Sequence, residues 1–292
     1  MSGEGRRWLE LRVRCRSADD REGLLADALV AMGARGVVEH AGWFVSYFPE
    51  PPDVDAFLDD ARGRLRGDSG LEDLQVEHEW QEHEEWAETW KRGFQPRRIG
   101  EHLVVHPSWS EPEDVGAADV VIVLDPGMAF GTAEHATTRG SLRLLERAVR
   151  PGDRVLDLGA GSGILAIAAV KLGAREAVAI EGDPLACEAL AENVARNSVS
   201  SRVRVREGWA TASTVAAEGP FDGIVSNIET GILEPLFEGF ARALESGAWL
   251  VISGVLDHEW NETRQTLSVA GFDFTVVDAD GEWRSGLFER RR

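Results

Sequence analysis

The chain has 292 residues, 43% of them hydrophobic and 28% charged, with 31 basic and 51 acidic residues for a formal net charge of −20. That length holds two domains or one large one with a well-buried core. No apolar run approaches the ~18–20 residues of a membrane span, the first residues lack a signal core, and the negative field repels nucleic acid.

These features point to a cytoplasmic protein with no DNA partner and no membrane partner. A basic protein partner fits the charge, and so does an acid-rich proteome adapted to salt. Cys15 and Cys187 have no metal-like spacing, so two buried free thiols are expected rather than a disulfide framework.

Residues 8–80 carry the order βαββαβ. Trp8–Val13 alternates with period 2 and predicts a half-buried strand. Leu24, Leu25, Ala28, Leu29 and Met32 fall at helical spacing within 19–32, which Gly33 and Gly36 end. Val37–Glu39 and Trp43–Phe48 predict two strands. Phe57, Leu58, Ala61 and Leu65 define one face of a helix over Val54–Arg66, and Leu74–Trp80 predicts a closing strand. The order matches a ferredoxin-like α+β module. It has no glycine-rich loop and no clustered titratable groups, so recognition or orientation is assigned to it.

A connector follows over 81–100, with Trp86 and Trp90 four apart on a predicted helix. Such a pair either docks a linker helix or stacks on a ligand. His78 and His83 have no further ligand nearby, which excludes a metal site. Few glycines in the connector suggest a helical hinge.

From 101 onward the pattern changes to strands alternating with helices. Strands are expected at His102–His106, Val120–Leu124, Arg154–Leu158, Ala177–Glu181, Val203–Glu207, Phe221–Ser226, Trp249–Ser253, Phe272–Val277 and Trp283–Glu289. A long loop spans Asp125–Thr138, and Thr137 and Thr138 open a helix that runs to about Val149. Asp183-Pro184 is an N-cap followed by proline at the first helical position, starting a helix that ends near Asn197. This is the pattern of an open, mostly parallel sheet covered on both faces.

Residues 155–163 read V-L-D-L-G-A-G-S-G and continue into a small-residue apolar run. Glycines at Gly159, Gly161 and Gly163 allow positive φ and let a ligand lie on bare backbone. Glu181 ends the next strand, where a carboxylate accepts both hydroxyls of a ribose. Nicotinamide-binding turns use G-x-G-x-x-G, and phosphate loops need a lysine; neither is present. A nucleoside without phosphates fits, and S-adenosyl-L-methionine is the common one. A turn that needs glycine only for packing is the bland alternative.

D-P-G-M-A-F-G-T-A-E-H-A-T-T at 125–138, D-L-G-A-G-S-G-I-L-A-I-A-A at 157–169, S-N-I at 226–228, G-E-W at 281–283 and the connector E-E-W-A-E-T-W-K-R-G-F-Q-P at 84–96 resemble the ribosomal protein L-eleven methyltransferases. The resemblance is strong over about 80–292 and one of pattern over the N-terminal module. It implies a Rossmann-like class I methyltransferase domain over 101–292, a substrate-recognition domain over 1–80 and a helical linker over 81–100. It implies methylation of lysine side chains and the N-terminal amine of a basic ribosomal protein. Position by position, Thr138, Gly159, Gly161, Glu181 and Asn227 match cofactor contacts.

Three features depart from the family pattern. Ala133, Glu134 and Ala136 stand in a loop that usually reads glycine-threonine-histidine-proline, and Glu229 stands where the family has an aliphatic residue. Glu181 replaces the more frequent aspartate. Methyl transfer needs an in-line nucleophile ~3 Å away and little else, so positioning dominates. Asn227 is the candidate to orient the acceptor amine as well as the cofactor. His135 is either a base or a residue that holds the loop. Glu134 and Glu229 either attract a cationic acceptor or are plain solvated acids.

Other readings are a methyltransferase for another protein lysine or a small amine, and a binding module that keeps cofactor without catalysis. The glutamine methyltransferases carry asparagine-proline-proline-tyrosine after the fourth strand, which Ser226-Asn227-Ile228-Glu229 lacks.

Overall fold

The computed structural model describes the chain except for residues 1–7, 16–24, 26–27, 30–31, 35–36, 41, 70–72, 82–94, 126–130 and 132. The expected linker helix, with Trp86 and Trp90, lies outside the described residues. The backbone divides into two compact units, Met1–Gly93 and Phe94–Arg292.

In the first unit, β1 (Trp8–Cys15), β2 (Val37–His40), β3 (Trp43–Pro49) and β4 (Leu74–Gln81) form an antiparallel sheet in the order β2-β3-β1-β4. This is the strand order of a ferredoxin-like sheet. Leu9, Leu11 and Val13 of the central strand pack with Leu25, Leu29, Phe44 and Phe48. Helix α1 (Val54–Ser69) adds Leu58, Ala61 and Leu65 to that core, as its apolar spacing requires.

The opposite face of β1 is not a plain solvated face. Glu10 is only 4% exposed and is paired with Arg12, and it lies across from Tyr47 and Glu79. Burial, reinforced by the Glu10 charge, pushes the Tyr47 phenol up to about 12. Titratable groups do therefore cluster here, against expectation. A central strand is flanked on both sides, so its outward residues are covered by long neighbours.

The second unit opens with a three-stranded sheet of β5 (Arg97–Ile99), β6 (Leu103–His106) and β7 (Val120–Val123). Strand β5 has no alternation long enough to predict it. The main sheet has the order β10-β9-β8-β11-β12-β14-β13. It comprises β8 (Arg154–Leu158), β9 (Glu176–Glu181), β10 (Val203–Glu207), β11 (Phe221–Asn227), β12 (Leu244–Leu256), β13 (Phe272–Asp280) and β14 (Trp283–Arg290). Strands β10 to β12 run parallel, and β14 inserts antiparallel between β12 and β13.

The helices are α2 (Ala136–Ala148), α3 (Ile164–Lys171), α4 (Pro184–Arg196), α5 (Ala212–Glu218), the short α6 (Thr230–Leu233), α7 (Phe237–Ala243) and α8 (Trp260–Val269). Two cores flank the sheet. Val155, Ala177, Ala179 and Val251 face α2, α3 and α4 on one side. Leu156, Leu158, Val178, Ile180 and Ile252 face Phe237, Phe240 and Trp260 on the other. Burial on both faces is why these strands read as continuous apolar runs. Truncating one fully buried member such as Ile167 to alanine costs about 2–5 kcal/mol. Among the described residues, no helix is long and apolar enough to cross a membrane.

Candidate active site

Strand β8 turns into α3 through three glycines, each in the left-handed region, with φ of 68° at Gly159, 51° at Gly161 and 80° at Gly163. Side chains would be strained at all three, so the turn presents bare backbone. Gly159 N and Ala160 N donate to Ile180 O at 2.9 and 3.1 Å, which holds the turn against the end of β9.

Glu181 braces the same turn. Its Oε2 accepts from Gly161 N at 2.8 Å, and its Oε1 accepts from Gly182 N at 2.8 Å and Asp183 N at 3.0 Å. The carboxylate is thus fixed in place before any ligand arrives. Asp183 caps α4 by accepting from Leu185 N, with Pro184 in the first turn, as the sequence predicts.

Asp157 lies directly beneath the turn and is fully buried. Its Oδ2 accepts from Ala166 N at 2.9 Å, tying β8 to α3. Its Oδ1 has no hydrogen-bond partner among the described residues. Burial pushes this carboxyl up to about 7; the Ala166 bond opposes the rise and the Glu181 charge adds to it. The acid before the glycines is visible in the sequence, but its burial and altered ionisation are not.

The loop before α2 reaches the turn through Ser162 Oγ, which donates to Gly131 O at 2.6 Å. Ala133 is buried and has a φ of 65°, an uncommon conformation for a residue with a Cβ. Alanine thus stands where the backbone takes a conformation that favours glycine. Helix α2 begins at Ala136, and its N-cap is His135, whose side chain accepts from Thr137 N. The cap therefore precedes the two threonines expected to open the helix. The His135 ring also packs edge-on against Trp283 at 5.1 Å. Burial lowers its pKa, with Arg139 assisting. These contacts give His135 a role in holding the loop.

Thr138 is fully buried in the first turn of α2. Asn227, the last residue of β11, donates from Nδ2 to Thr138 Oγ1 at 3.4 Å. Thr138, Gly159, Gly161, Glu181 and Asn227 are all carried by the carboxyl edge of the sheet or the loops that leave it, where ligands bind in open α/β folds. Glu134 is ion-paired with Arg97 of β5 at 2.7 Å, so that pair neutralises one of the two loop acids. Glu229 is exposed and precedes α6.

Several supporting residues escaped sequence reasoning. Ser253 of β12 donates to Thr137 O at 3.0 Å and shares a 2.6 Å hydrogen bond with Ser285 of β14, and both serines are buried. This anchors the start of α2 beside Asn227. Gly254 has a φ of 83°, and a Cβ there would stand 2.6 Å from Ile228 O. The glycine lets β12 pass against the backbone immediately after Asn227. Nothing local in the sequence marks these contacts, which join residues distant along the chain.

A family model described as ribosomal protein L11 methyltransferase (PrmA) matches residues 7–291. The chain belongs to the ribosomal protein L11 methyltransferase family. A protein of that name from Symbiobacterium thermophilum is 40% identical over 277 residues, covering 86% of this chain and 88% of its own length. Another from Streptococcus pneumoniae is 32% identical over 311 residues, covering 98% and 96%. The crystal structure of a ribosomal protein L11 methylase from Lactobacillus delbrueckii subsp. bulgaricus is 32% identical, with a TM-score of 0.61, covering 68% of this chain and 100% of that one. Membership makes this chain a methyltransferase, and its second unit has the class I methyltransferase fold. The family and the fold imply use of S-adenosylmethionine.

The residues present fit that molecule. The turn is stripped of side chains, a fixed carboxylate stands at the tip of β9, and a buried acidic oxygen beneath them has no partner among the described residues. Among the described residues, no group of three or more histidine, cysteine, aspartate or glutamate side chains is arranged to hold a metal.

Proposed function

We propose that this methyltransferase modifies amino groups, lysine side chains and the N-terminal amine, of ribosomal protein L11, with S-adenosylmethionine as methyl donor. The observation that carries the reading is the Asn227–Thr138 pair at the same sheet edge as the Glu181-braced glycine turn. Bound there, S-adenosylmethionine supplies an electrophilic methyl group on a sulfonium.

The protein's own residues do the rest by positioning. Gly159 and Gly161 admit the nucleoside to the backbone, and Glu181 accepts the ribose hydroxyls. Asn227 offers an amide to the cofactor and to the acceptor amine, with Thr138 behind it fixing the plane of that amide. The amine must arrive neutral, and a partly dry pocket lowers a lysine pKa toward that state. The ferredoxin-like unit holds the protein substrate, and the segment after β4 joins it to the catalytic unit, which opens with β5 rather than at residue 101. The net charge of −20 suits a basic substrate. Action on a ribosomal protein is consistent with a cytoplasmic enzyme.

The test is incubation of the purified enzyme with labelled cofactor and purified ribosomal protein L11, followed by mass spectrometry of the product. Methylated amines on that protein are expected. Label on a different protein or on a small amine, with none on ribosomal protein L11, would transfer the reading to that acceptor.

A further inference from the structure

Trp209 is 80% exposed at the carboxyl edge of the main sheet. It follows Gly208 just beyond β10, the strand that pairs in parallel with β9, Glu207 opposite Glu181. Gly208 N donates to Glu181 O at 2.7 Å and draws the two strand ends together. A single exposed apolar side chain is ordinary. This one is seated. The indole lies on Gly182, where a Cβ would stand 2.6–2.8 Å from its Cδ2, Cε2 and Cε3 atoms. Gly182 has no side chain, and the tryptophan just beyond the neighbouring strand occupies the space one would fill.

Gly182 is also the residue next to Glu181 and donates its N–H to that carboxylate at 2.8 Å. The same carboxylate binds Gly161 N. The glycine turn, the carboxylate, the notch and the indole therefore form one continuous surface.

We propose that Trp209 stacks on the purine of the bound S-adenosylmethionine, with Gly182 as the notch that seats the indole. The proposal rests on the reading of Glu181 as the ribose acceptor. A base lies one glycosidic bond from its sugar, and the indole is the broad flat apolar surface next to that carboxylate. Stacking of this kind is tolerant of base identity because every base has a π-face, so Trp209 supplies affinity rather than selectivity.

The test is calorimetric binding of S-adenosylhomocysteine and of adenosine to the full chain, which needs no turnover. Trp209→Ala should weaken both ligands by a similar factor, roughly 5- to 100-fold. Trp209→Phe should recover most of the loss. Gly182→Ala should weaken binding by displacing the indole, yet add nothing in the Trp209→Ala background. The ligand-free melting temperature of Trp209→Ala should stay near that of the wild type, because the ring is mostly exposed. Ligand should also quench part of the emission of the ten tryptophans, and Trp209→Phe should remove that part. Binding by Trp209→Ala within twofold of the wild type overturns the proposal and leaves the cofactor site standing. If the wild-type protein binds neither ligand, the underlying reading of the site fails with it.

Discussion

Asn227 and Thr138 meet across the carboxyl edge of the sheet, Nδ2 to Oγ1 at 3.4 Å, although they are 89 positions apart in the chain. The hydroxyl is fully buried while the amide keeps partial exposure. The threonine therefore stands behind the asparagine and restrains the plane of its amide.

Replacing Asn227 with alanine should lower kcat for amine methylation by about 10–100-fold, the scale of one or two directed hydrogen bonds. Cofactor affinity should fall by a smaller factor. Steady-state kinetics with labelled donor, paired with calorimetry, separate the two. Full turnover together with unchanged cofactor affinity would remove Asn227 from the site.

Glu181→Ala strips the acceptor from three backbone amides, those of Gly161, Gly182 and Asp183. Binding of S-adenosylhomocysteine should weaken by about 10–100-fold, and the melting temperature should fall as well, since the donors near the turn lose their partner. Glu181→Gln keeps one acceptor oxygen and should fall between. Equal affinity for all three proteins would deny the carboxylate any part in the ribose contact.

The Asp157 carboxyl is held up at about 7 by burial, against an unfolded value of ~3.9. Between about pH 4 and 7 the folded protein keeps a proton that the unfolded chain has released. Its stabilising contribution is full below pH ~4, is lost as pH rises through ~7, and is level above that, with a slope of at most ~1.4 kcal/mol per pH unit. Asp157→Asn cannot titrate. Melting curves across pH 4–8 should show the wild type losing ground to this variant up to pH ~7 and holding a constant difference beyond it. A difference that does not change with pH would show the carboxyl to be ionised normally.

Ala133 has a φ of 65° in a buried position. A residue with a Cβ costs ~1–2 kcal/mol in that conformation, and glycine loses ~0.5–1 kcal/mol of that gain to the entropy of the unfolded chain. Ala133→Gly should therefore stabilise by about 0.5–1 kcal/mol, raising the melting temperature by about 1–4 °C. A drop would mean that the alanine methyl, only 2% exposed, contributes more by packing than the strain removes.

Ser253→Ala removes a donor from Thr137 O and a partner from Ser285. A loss of about 1–3 kcal/mol in stability is expected. The start of α2 carries Thr138, so kcat and cofactor affinity should both fall. Ser253→Thr, which restores the hydroxyl, should recover both; no recovery would limit Ser253 to stability.

The sequence alone determined what adjacent residues decide. Alternation of apolar residues marks β1, β3, β4 and most of β8 to β14, because a strand covered on one or both faces must place apolar side chains at period 2 or continuously. Three glycines at alternate positions force a bare turn, since only glycine takes positive φ there without cost, and βαβ geometry sets the carboxylate that ends the next strand beside it. The family motifs are of the same local kind.

Tertiary structure decided the contacts that unite distant segments. It inserted β14 antiparallel beside β12, brought Asn227 to Thr138, seated Trp209 on Gly182, and buried Glu10 and Asp157 so that their surroundings differ from those of surface acids. The physical reason is that burial and pairing depend on which strands become neighbours in the sheet. Neighbours in this sheet are set by crossovers that span tens of residues, and no short window of sequence holds both partners.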